Sequence, residues 1–176
     1  MVDTARHVTF RSYQAMDYDA VAALWTRINR ELAPPGMEEM FERYIATTID
    51  GELKHLPEVF SEAKRNAFWV VEDASEIVGC FGIESHGTED TELRRMYLDK
   101  AYRGMGIAQR MIEQAQAEAR AIGFKKMILS TAEIQRSAVK FYRKNGFRQL
   151  RSEIADAMNP KQAGGGLTRF YFDKEL

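Results

Sequence analysis

The segment Arg103-Gly104-Met105-Gly106-Ile107-Ala108-Gln109 lies between a predicted strand, Thr91 to Leu98, and a helical pattern from about Met105 to Ile122. The first backbone N–H groups of a helix lack intrahelical partners, and the helix dipole adds about half a positive charge there. Glycines at positions 104 and 106 remove the side chains that would keep an anion away, and they permit the positive φ angles of an amide nest. The segment therefore predicts a phosphate or pyrophosphate site, with a simple tight turn as the alternative.

Two other phosphate-binding motifs do not match this segment. A P-loop requires the pattern G-x-x-x-x-G-K-[ST], which the sequence does not contain. A Rossmann fingerprint requires G-x-G-x-x-G, but the sixth position here is Gln109. Its long side chain stands where close packing of helix and strand needs Gly or Ala. The sequence therefore argues against both a P-loop and a dinucleotide-binding turn.

Hydrophobic periodicity predicts strands and helices around this segment. The strand candidates are residues 7–13, 68–72, 77–84, 91–98, 126–131, 147–154 and 167–172. Helical patterns cover residues 17–32, 37–45, 105–122 and 134–142, and residues 57–66 suggest a further short helix. The alternation of strand and helix in the second half indicates at least one parallel pair of strands. These elements predict one α/β domain with a mixed sheet over residues 1–176.

Composition and charge indicate a soluble globular protein. Apolar residues make up 45% and charged residues 29% of the chain, and the net charge of −1 shows no basic excess. We therefore expect neither a nucleic-acid nor a membrane partner. Residues 1–10 contain no apolar run of a signal peptide, and the single cysteine, Cys80, suits a reducing compartment, so a cytoplasmic location is expected. His7, His55 and His86 have no metal-ligand spacing, so no metal is expected.

Two motifs in order identify a family resemblance. Arg103-x-x-Gly106-x-Ala108 resembles the [Q/R]-x-x-G-x-[G/A] pyrophosphate motif of the GNAT superfamily of acyl-CoA N-acyltransferases. It follows Glu92 to Leu98, which is similar to the fourth strand of that family. Downstream, Ala138-x-x-Phe141-Tyr142-x-x-x-Gly146-Phe147 resembles the family signature A-x-x-F-Y-x-x-x-G-F at the expected distance. The likeness covers about Phe68 to Phe172.

The resemblance implies a fold and a mode of cofactor binding. The fold would be a mixed sheet of about seven mostly antiparallel strands, splayed between strands four and five, with about four helices. Acetyl-CoA would lie in the opening as the acyl donor, its pantetheine arm on the backbone of the fourth strand and its pyrophosphate on the glycine turn. Gln135 stands where family members often carry Asn. Its side-chain amide lies one methylene further from the backbone than the amide of Asn would. The expected cofactor-binding residues are Met96, Tyr97, Leu98, Arg103, Gly104, Met105, Gly106, Ile107, Ala108, Gln109 and Gln135.

Acetyl transfer needs a neutral amine, a stabilised oxyanion and a protonated leaving thiolate. The resemblance places Tyr142 near the thioester sulfur as the general acid, although its helical stripe also fits core packing. Glu92, which opens the strand, is the preferred base, with Glu84 as the second candidate. A solvated strand-end carboxylate is the alternative for both. Cys80 lies in an apolar strand and is expected to be a buried, inert thiol.

Two further groups of residues, a pair of arginines and a set of methionines and aromatic residues, allow more than one interpretation. Arg94-Arg95 could steer the cofactor's phosphates or occupy a strand face that points to solvent. The acceptor pocket would be built by residues 17–66 and by the loop after Ile154. The methionines and aromatic residues at Met37, Met40, Phe41, Tyr44 and Phe60 could line that pocket or fill the core.

The sequence therefore predicts an enzyme that transfers the acetyl group of acetyl-CoA to a primary amine. A small-molecule acceptor and direct transfer through a tetrahedral intermediate are favoured. The alternatives are acetylation of a protein N-terminus or lysine, and a CoA-binding sensor without turnover. A homodimer is left open.

Overall fold

The computed structural model of the chain describes residues 7–176, so residues 1–6, part of the segment without a signal-peptide pattern, lie outside the described residues. The described strands are β1 (Thr9–Ser12), β2 (Ala67–Asp73), β3 (Glu76–His86), β4 (Asp90–Leu98), β5 (Lys126–Ala132), β6 (Arg148–Ala155) and β7 (Leu167–Glu175). The described α-helices are α1 (Tyr18–Leu32), α2 (Glu38–Gly51), α3 (Leu56–Val59), α4 (Ile107–Ile122) and α5 (Arg136–Lys144).

Across residues 7–176 the strands form one seven-stranded sheet in the order β1-β2-β3-β4-β5-β7-β6. Neighbouring strands are antiparallel except β4 and β5, which run parallel. That pair shares only three register positions, from Asp90 opposite Lys126 to Glu92 opposite Ile128. Beyond Glu92 the two strands separate. The predicted mixed sheet, splayed between its fourth and fifth strands, is confirmed.

Helices cover both faces of the sheet because their apolar residues recur at helical spacing. On one face, α1 buries Val21, Leu24, Trp25 and Ile28 in a core cluster that also contains Cys80. On the other face, α4 contributes the fully buried Met111, Ile112, Ala115 and Ala119 to a second cluster. The helix suggested at residues 57–66 is shorter than predicted: α3 covers four residues, and a separate 3₁₀ turn follows at Glu62–Lys64.

The fourth strand contains a β-bulge at Arg95. Cys80 pairs with Tyr97 and Gly82 with Arg94, so β4 has one residue more than β3 between these two positions. Arg95 adopts a φ of 52°, in the left-handed region that non-glycine residues seldom occupy. The Cys80 thiol donates to the carbonyl oxygen of Arg95 at 3.4 Å. A bulge of this kind bends its strand and increases its twist, as β4 requires where it leaves β5.

The two arginines at the bulge are buried, and Glu52 compensates their charge. Arg94 and Arg95 are 7% and 9% exposed, which shows that this part of β4 does not point to solvent. Glu52, at the end of α2, accepts from Arg94 Nη2 at 2.9 Å and from Arg95 Nη2 at 2.5 Å. Arg95 also donates to the Tyr44 hydroxyl at 3.1 Å and to the carbonyl oxygen of Pro160. Because carboxylate and carbonyl groups already hold both guanidiniums, they cannot steer an incoming phosphate.

Glu52→Gln is expected to lower the free energy of unfolding by about 3–5 kcal/mol at neutral pH, because it leaves the buried Arg95 without a carboxylate and leaves Arg94 with Glu84 alone. Burial alone would raise the pKa of Glu52, but the hydrogen bond from Arg95 and the charges of Arg95 and Arg94 lower the pKa below 4.5. The carboxylate's contribution to stability is therefore complete above about pH 4.5 and is lost as the pH falls through the lower pKa of the folded state. Urea unfolding at several pH values measures both effects.

The matched control is Glu42→Gln, which removes a carboxylate that pairs with Arg30 on the exposed surface. Its unfolding curve is expected to stay close to that of the unchanged protein, because exposed ion pairs contribute little. If Glu52→Gln is as stable as this control, or if its loss of stability does not shrink in acid, Glu52 does not hold the bulge.

Candidate active site

The separation of β4 from β5 opens a cavity of about 120 Å³ in the middle of the sheet. One side is formed by β4, the other by β5 and the start of α5. Residues of α1 and α2 and the loop between β6 and β7, which were expected to build an acceptor pocket, also line it. The lining residues include Asn29, Leu32, Phe41, Tyr44, residues 92–97, residues 129–132, Gln135, Tyr142, residues 161–164 and Arg169.

The glycine turn lies directly before α4. Gly104 and Gly106 have φ angles of 78° and 76°, and no heavy atom lies within 4 Å of a Cβ placed on either residue. Gly106 is the N-cap, so α4 begins at Ile107 rather than near Met105. The first N–H groups of α4 therefore follow two residues whose surroundings are open, and the geometry fits a cradle for an anion.

Other residues of the turn already have contacts within the chain. Arg103 Nε donates to the carbonyl oxygen of Leu98 at 3.0 Å, which ties the turn to the end of β4. A longer contact of 3.5 Å joins its guanidinium to Glu31. The Gln109 amide donates to Glu113 one turn along the helix at 2.9 Å. Met105 is 51% exposed. The main chain of the turn, rather than these side chains, is therefore the part that is open to an incoming anion.

The end of β4 presents main-chain groups to the gap. The N–H of Asp99 donates to the carbonyl oxygen of Val78 at 2.8 Å, toward β3. Successive residues of a strand direct their N–H and C=O groups to opposite edges, so Leu98 directs its groups away from β3, where its carbonyl oxygen accepts from Arg103. Met96 lines the cavity, as does Tyr97, whose ring packs against Trp25 with centroids 6.1 Å apart.

Tyr142 belongs both to the core and to the cavity wall. Its ring packs against Phe147 and Phe172, with centroid distances of 5.8 and 6.3 Å. Its hydroxyl lies 4.0 Å from the sulfur of Met96, across the gap on β4. Burial raises the pKa of Tyr142, and Tyr97 adds to the increase. The hydroxyl therefore stays protonated at neutral pH and is available as a donor.

Glu92 and Glu84 are ion-paired, partly exposed carboxylates. Lys161, from the loop between β6 and β7, donates to Glu92 at 2.8 Å and lies 3.7 Å from Glu84. Glu84 also accepts from Arg94. The Glu92 side chain is 15% exposed and lines the cavity. An ion pair thus joins the loop to the candidate base, and Lys161 occupies the position next to Glu92 where a substrate ammonium could bind.

Gln135 lies at the start of α5, and its side-chain oxygen is already engaged. The oxygen accepts from the Thr131 hydroxyl and from the N–H of Ala132, the latter at 3.3 Å. Gln135 therefore closes the turn between β5 and α5 and lines the cavity at the same time.

Cys80 is a buried thiol away from the cavity. It has no exposed surface, and its sulfur accepts from the Trp25 indole at 3.2 Å. Burial raises the pKa of Cys80 to about 12, although the Trp25 contact lowers it in part. The thiolate is therefore strongly disfavoured. The prediction of a buried thiol is confirmed, and its inertness stays a prediction.

Residues 7–176 contain no cluster of three His, Cys, Asp or Glu side chains that could hold a metal ion. His7, His55 and His86 are exposed, and His55 contacts Glu58 at 3.0 Å. Over the same part of the chain, the structure has no helix of the length and apolarity that crossing a membrane requires.

The sequence did not single out Lys161 or Arg169. Lys161 lies in a loop without a motif, and its partners are about 70 residues away along the chain. Arg169 lies in a predicted strand directly before Phe170, and alternation along that strand would have placed it on the face opposite Phe170 and Phe172. Which residues that face meets depends on the pairing of β7 with β5.

A family model described as "Acetyltransferase (GNAT) domain" matches residues 64–149. Among curated proteins, the chain is 36% identical over 107 residues to the uncharacterized N-acetyltransferase YjgM of Escherichia coli, covering 59% of this chain and 64% of that protein. It is 32% identical over 112 residues to the IAA acetyltransferase of Azospirillum brasilense, covering 62% of this chain and 72% of that protein. The chain thus spans about two thirds of the length of these relatives.

Solved structures share the fold. The PaiA N-acetyltransferase of Thermoplasma acidophilum in complex with coenzyme A superposes with a TM-score of 0.77 at 19% identity, over 97% of this chain and 99% of that chain. A GNAT-family acetyltransferase of Staphylococcus aureus Mu50 gives a TM-score of 0.76 at 17% identity, over 97% of this chain and 99% of that chain. The split sheet, the glycine turn and the sequence relatives agree, and the chain belongs to the GNAT superfamily of acetyltransferases.

Proposed function

We propose that the protein transfers the acetyl group of acetyl-CoA to the primary amine of a small molecule. The observation that carries this proposal is the glycine turn with two positive φ angles, open to solvent, at the start of a 16-residue helix beside the split between β4 and β5. The main chain of residues 103–109 would hold the pyrophosphate, and Met96, Tyr97 and Leu98 would hold the pantetheine arm. Gln135 would contact that arm through its amide nitrogen.

The residues around the gap support direct transfer. Glu92 would accept a proton from the ammonium of the acceptor once Lys161 has moved aside. The neutral amine then attacks the thioester carbonyl, and a backbone N–H of β4 stabilises the oxyanion. The tetrahedral intermediate collapses as the C–S bond breaks, and the proton that the nitrogen loses passes, directly or through water, to the departing thiolate, so that a neutral amide and the free thiol of CoA remain. Because its pKa is raised, Tyr142 would act chiefly by donating a hydrogen bond to the departing sulfur.

The loop beside the cavity supports a small acceptor. Loop residues 161–164 line the cavity, and Lys161 fastens the loop to Glu92. A site with a loop fastened across it suits a small amine better than a lysine on the surface of a folded protein.

Three broader expectations stay predictions. The single cysteine, the absence of a basic excess and the lack of a spanning helix among the described residues fit a cytoplasmic location. A single domain over residues 1–176 and a homodimer remain untested.

Gly106→Val is expected to abolish CoA binding, because a branched side chain would enter the space in front of the α4 amides. Isothermal titration calorimetry with CoA measures the affinity, and circular dichroism checks the fold. The matched control is Gly123→Val at the other end of α4, where the glycine also has a positive φ, of 98°, and open surroundings. The control carries similar backbone strain and should bind CoA normally. Unchanged CoA affinity in folded Gly106→Val would remove the turn from the binding site.

Tyr142→Phe is expected to lower kcat about 10²- to 10⁴-fold, the usual range for help with proton transfer, while acetyl-CoA binding stays nearly unchanged.

Glu92→Gln should also lower kcat and should alter the rise of kcat/KM with pH, because it removes the proposed general base. The measurement for both variants is a pH–rate profile.

The two profiles separate the two roles. Tyr142→Phe should keep the pH dependence of the unchanged enzyme, since the base is intact. A rate within about twofold of the unchanged enzyme would assign Tyr142 to core packing alone. An unaltered pH profile in Glu92→Gln would transfer the base role to another group or to water.

Initial rates over a grid of both substrates are expected to give intersecting double-reciprocal lines, because the buried Cys80 thiol does not form a covalent acetyl intermediate. Cys80→Ser should retain most of the activity, since its hydroxyl can still donate to the Arg95 carbonyl. Cys80→Ala tests the same point without a nucleophile. Parallel lines together with two inactive variants would instead establish a relay through Cys80.

A further inference from the structure

Five charged side chains line the cavity, and four of them have a partner of opposite charge. Arg94 and Arg95 pair with Glu52, and Lys161 pairs with Glu92. The fifth is Arg169 on β7. Considering residues 7–176 alone, no carboxylate oxygen lies within 4 Å of its guanidinium, and the side chain is only partly exposed.

Arg169 is held in place by a neutral group. Its Nη2 donates to the Ser130 hydroxyl on β5 at 2.6 Å. On the neighbouring strand it lies opposite Glu153, but that carboxylate accepts from the Tyr171 hydroxyl and from Arg151. A guanidinium has five N–H donors, and Ser130 uses one of them. The hydrogen bonds from Tyr171 and Arg151 lower the pKa of Glu153, and the charge of Arg169 lowers it further. The charge of Arg169 is thus positioned and only partly offset, by a carboxylate that lies beyond ion-pair distance.

Arg169 shares a face of the sheet with the candidate base. Glu92 lies opposite Ile128, and Arg169 lies opposite Ala132. Ile128 and Ala132 are four residues apart on β5 and so point to the same face. Leu129 and Met127 point to the other face, where they pack in the cluster that contains α4. Arg169 therefore lies on the side opposite α4 and its glycine turn, which argues against a role in binding the CoA phosphates.

We propose that Arg169 binds a carboxylate on the acceptor, so that the acceptor is a small amino acid rather than a simple amine. This proposal rests on the proposed function. Arginine pairs with carboxylates through two parallel hydrogen bonds, and the Ser130 contact fixes the orientation of the guanidinium beforehand. Because Arg169, Glu92 and Tyr142 line the same cavity, one acceptor that carries both an acid and an amine can reach all three side chains.

The test compares matched acceptors on the full chain with saturating acetyl-CoA and a thiol-detecting dye. Each L-amino acid is paired with its carboxamide, which keeps the amine and removes the negative charge. The unchanged enzyme should prefer its best amino acid over the corresponding amide by about 10- to 100-fold in kcat/KM, the range expected for a charge-assisted pair. Arg169→Gln should abolish this preference by raising KM for the acid while kcat stays nearly the same.

Two further variants separate recognition from structural damage. Arg169→Lys keeps the charge without the two-pronged geometry and should retain part of the preference. Arg143→Gln removes an exposed arginine of α5 that hydrogen-bonds Gln149 and does not line the cavity. It should behave like the unchanged enzyme with both members of each pair.

The outcomes also distinguish this proposal from the proposed function. Three outcomes would overturn the role of Arg169 and leave acetyl transfer standing. They are equal rates with acids and amides, turnover restricted to amines that carry no carboxylate, and a preference for the acid that survives Arg169→Gln. Calorimetry with CoA tests the donor site independently. A chain that binds CoA but acetylates no amine would overturn both proposals.

Discussion

The divergence of β4 from β5 after Glu92 is the constraint on which the rest of the structure depends. Three register pairs hold the two strands together, and the bulge at Arg95 then bends β4 away. The bend brings two arginines inside, and Glu52 from α2 neutralises them. A buried carboxylate on a distant helix thereby stabilises the path of the strand. The cavity, the main-chain edge of β4 and the position of α4 all follow from that path.

Local structure could be predicted from the sequence because it depends on local physics. Two runs of β-branched and aromatic residues joined by a polar turn identified the hairpin of β2 and β3, and helical spacing identified the buried face of α4. The two glycines of the turn were expected to adopt positive φ angles, and both do. The splay of the sheet came from the family resemblance instead, since no periodicity in one strand reports where its neighbour stops pairing. The roles of Tyr142, Glu92 and the other site residues stay proposals.

Contacts between distant segments could not be predicted. The sequence offered Arg94-Arg95 as a surface pair, but Glu52 lies more than 40 residues away and nothing local marks it as their partner. The same is true of Lys161, whose loop has no periodicity and whose ion pair with Glu92 depends on how the loop crosses the sheet. Burial of charge is decided by such tertiary pairs, because a charged side chain enters a core only with its counterion.

The split in the sheet also creates an edge strand inside the molecule. Exposed edges can recruit strands of other chains, and proteins usually protect them against aggregation with charges, prolines or covering segments. Here the edge of β4 faces a cavity of about 120 Å³ bounded by α5 and by loop residues 161–164. The helix and the loop act as covering segments for this edge, and they limit the access of an extended polypeptide from another molecule. The same split that opens the sheet therefore comes with elements that protect the strand edge it creates.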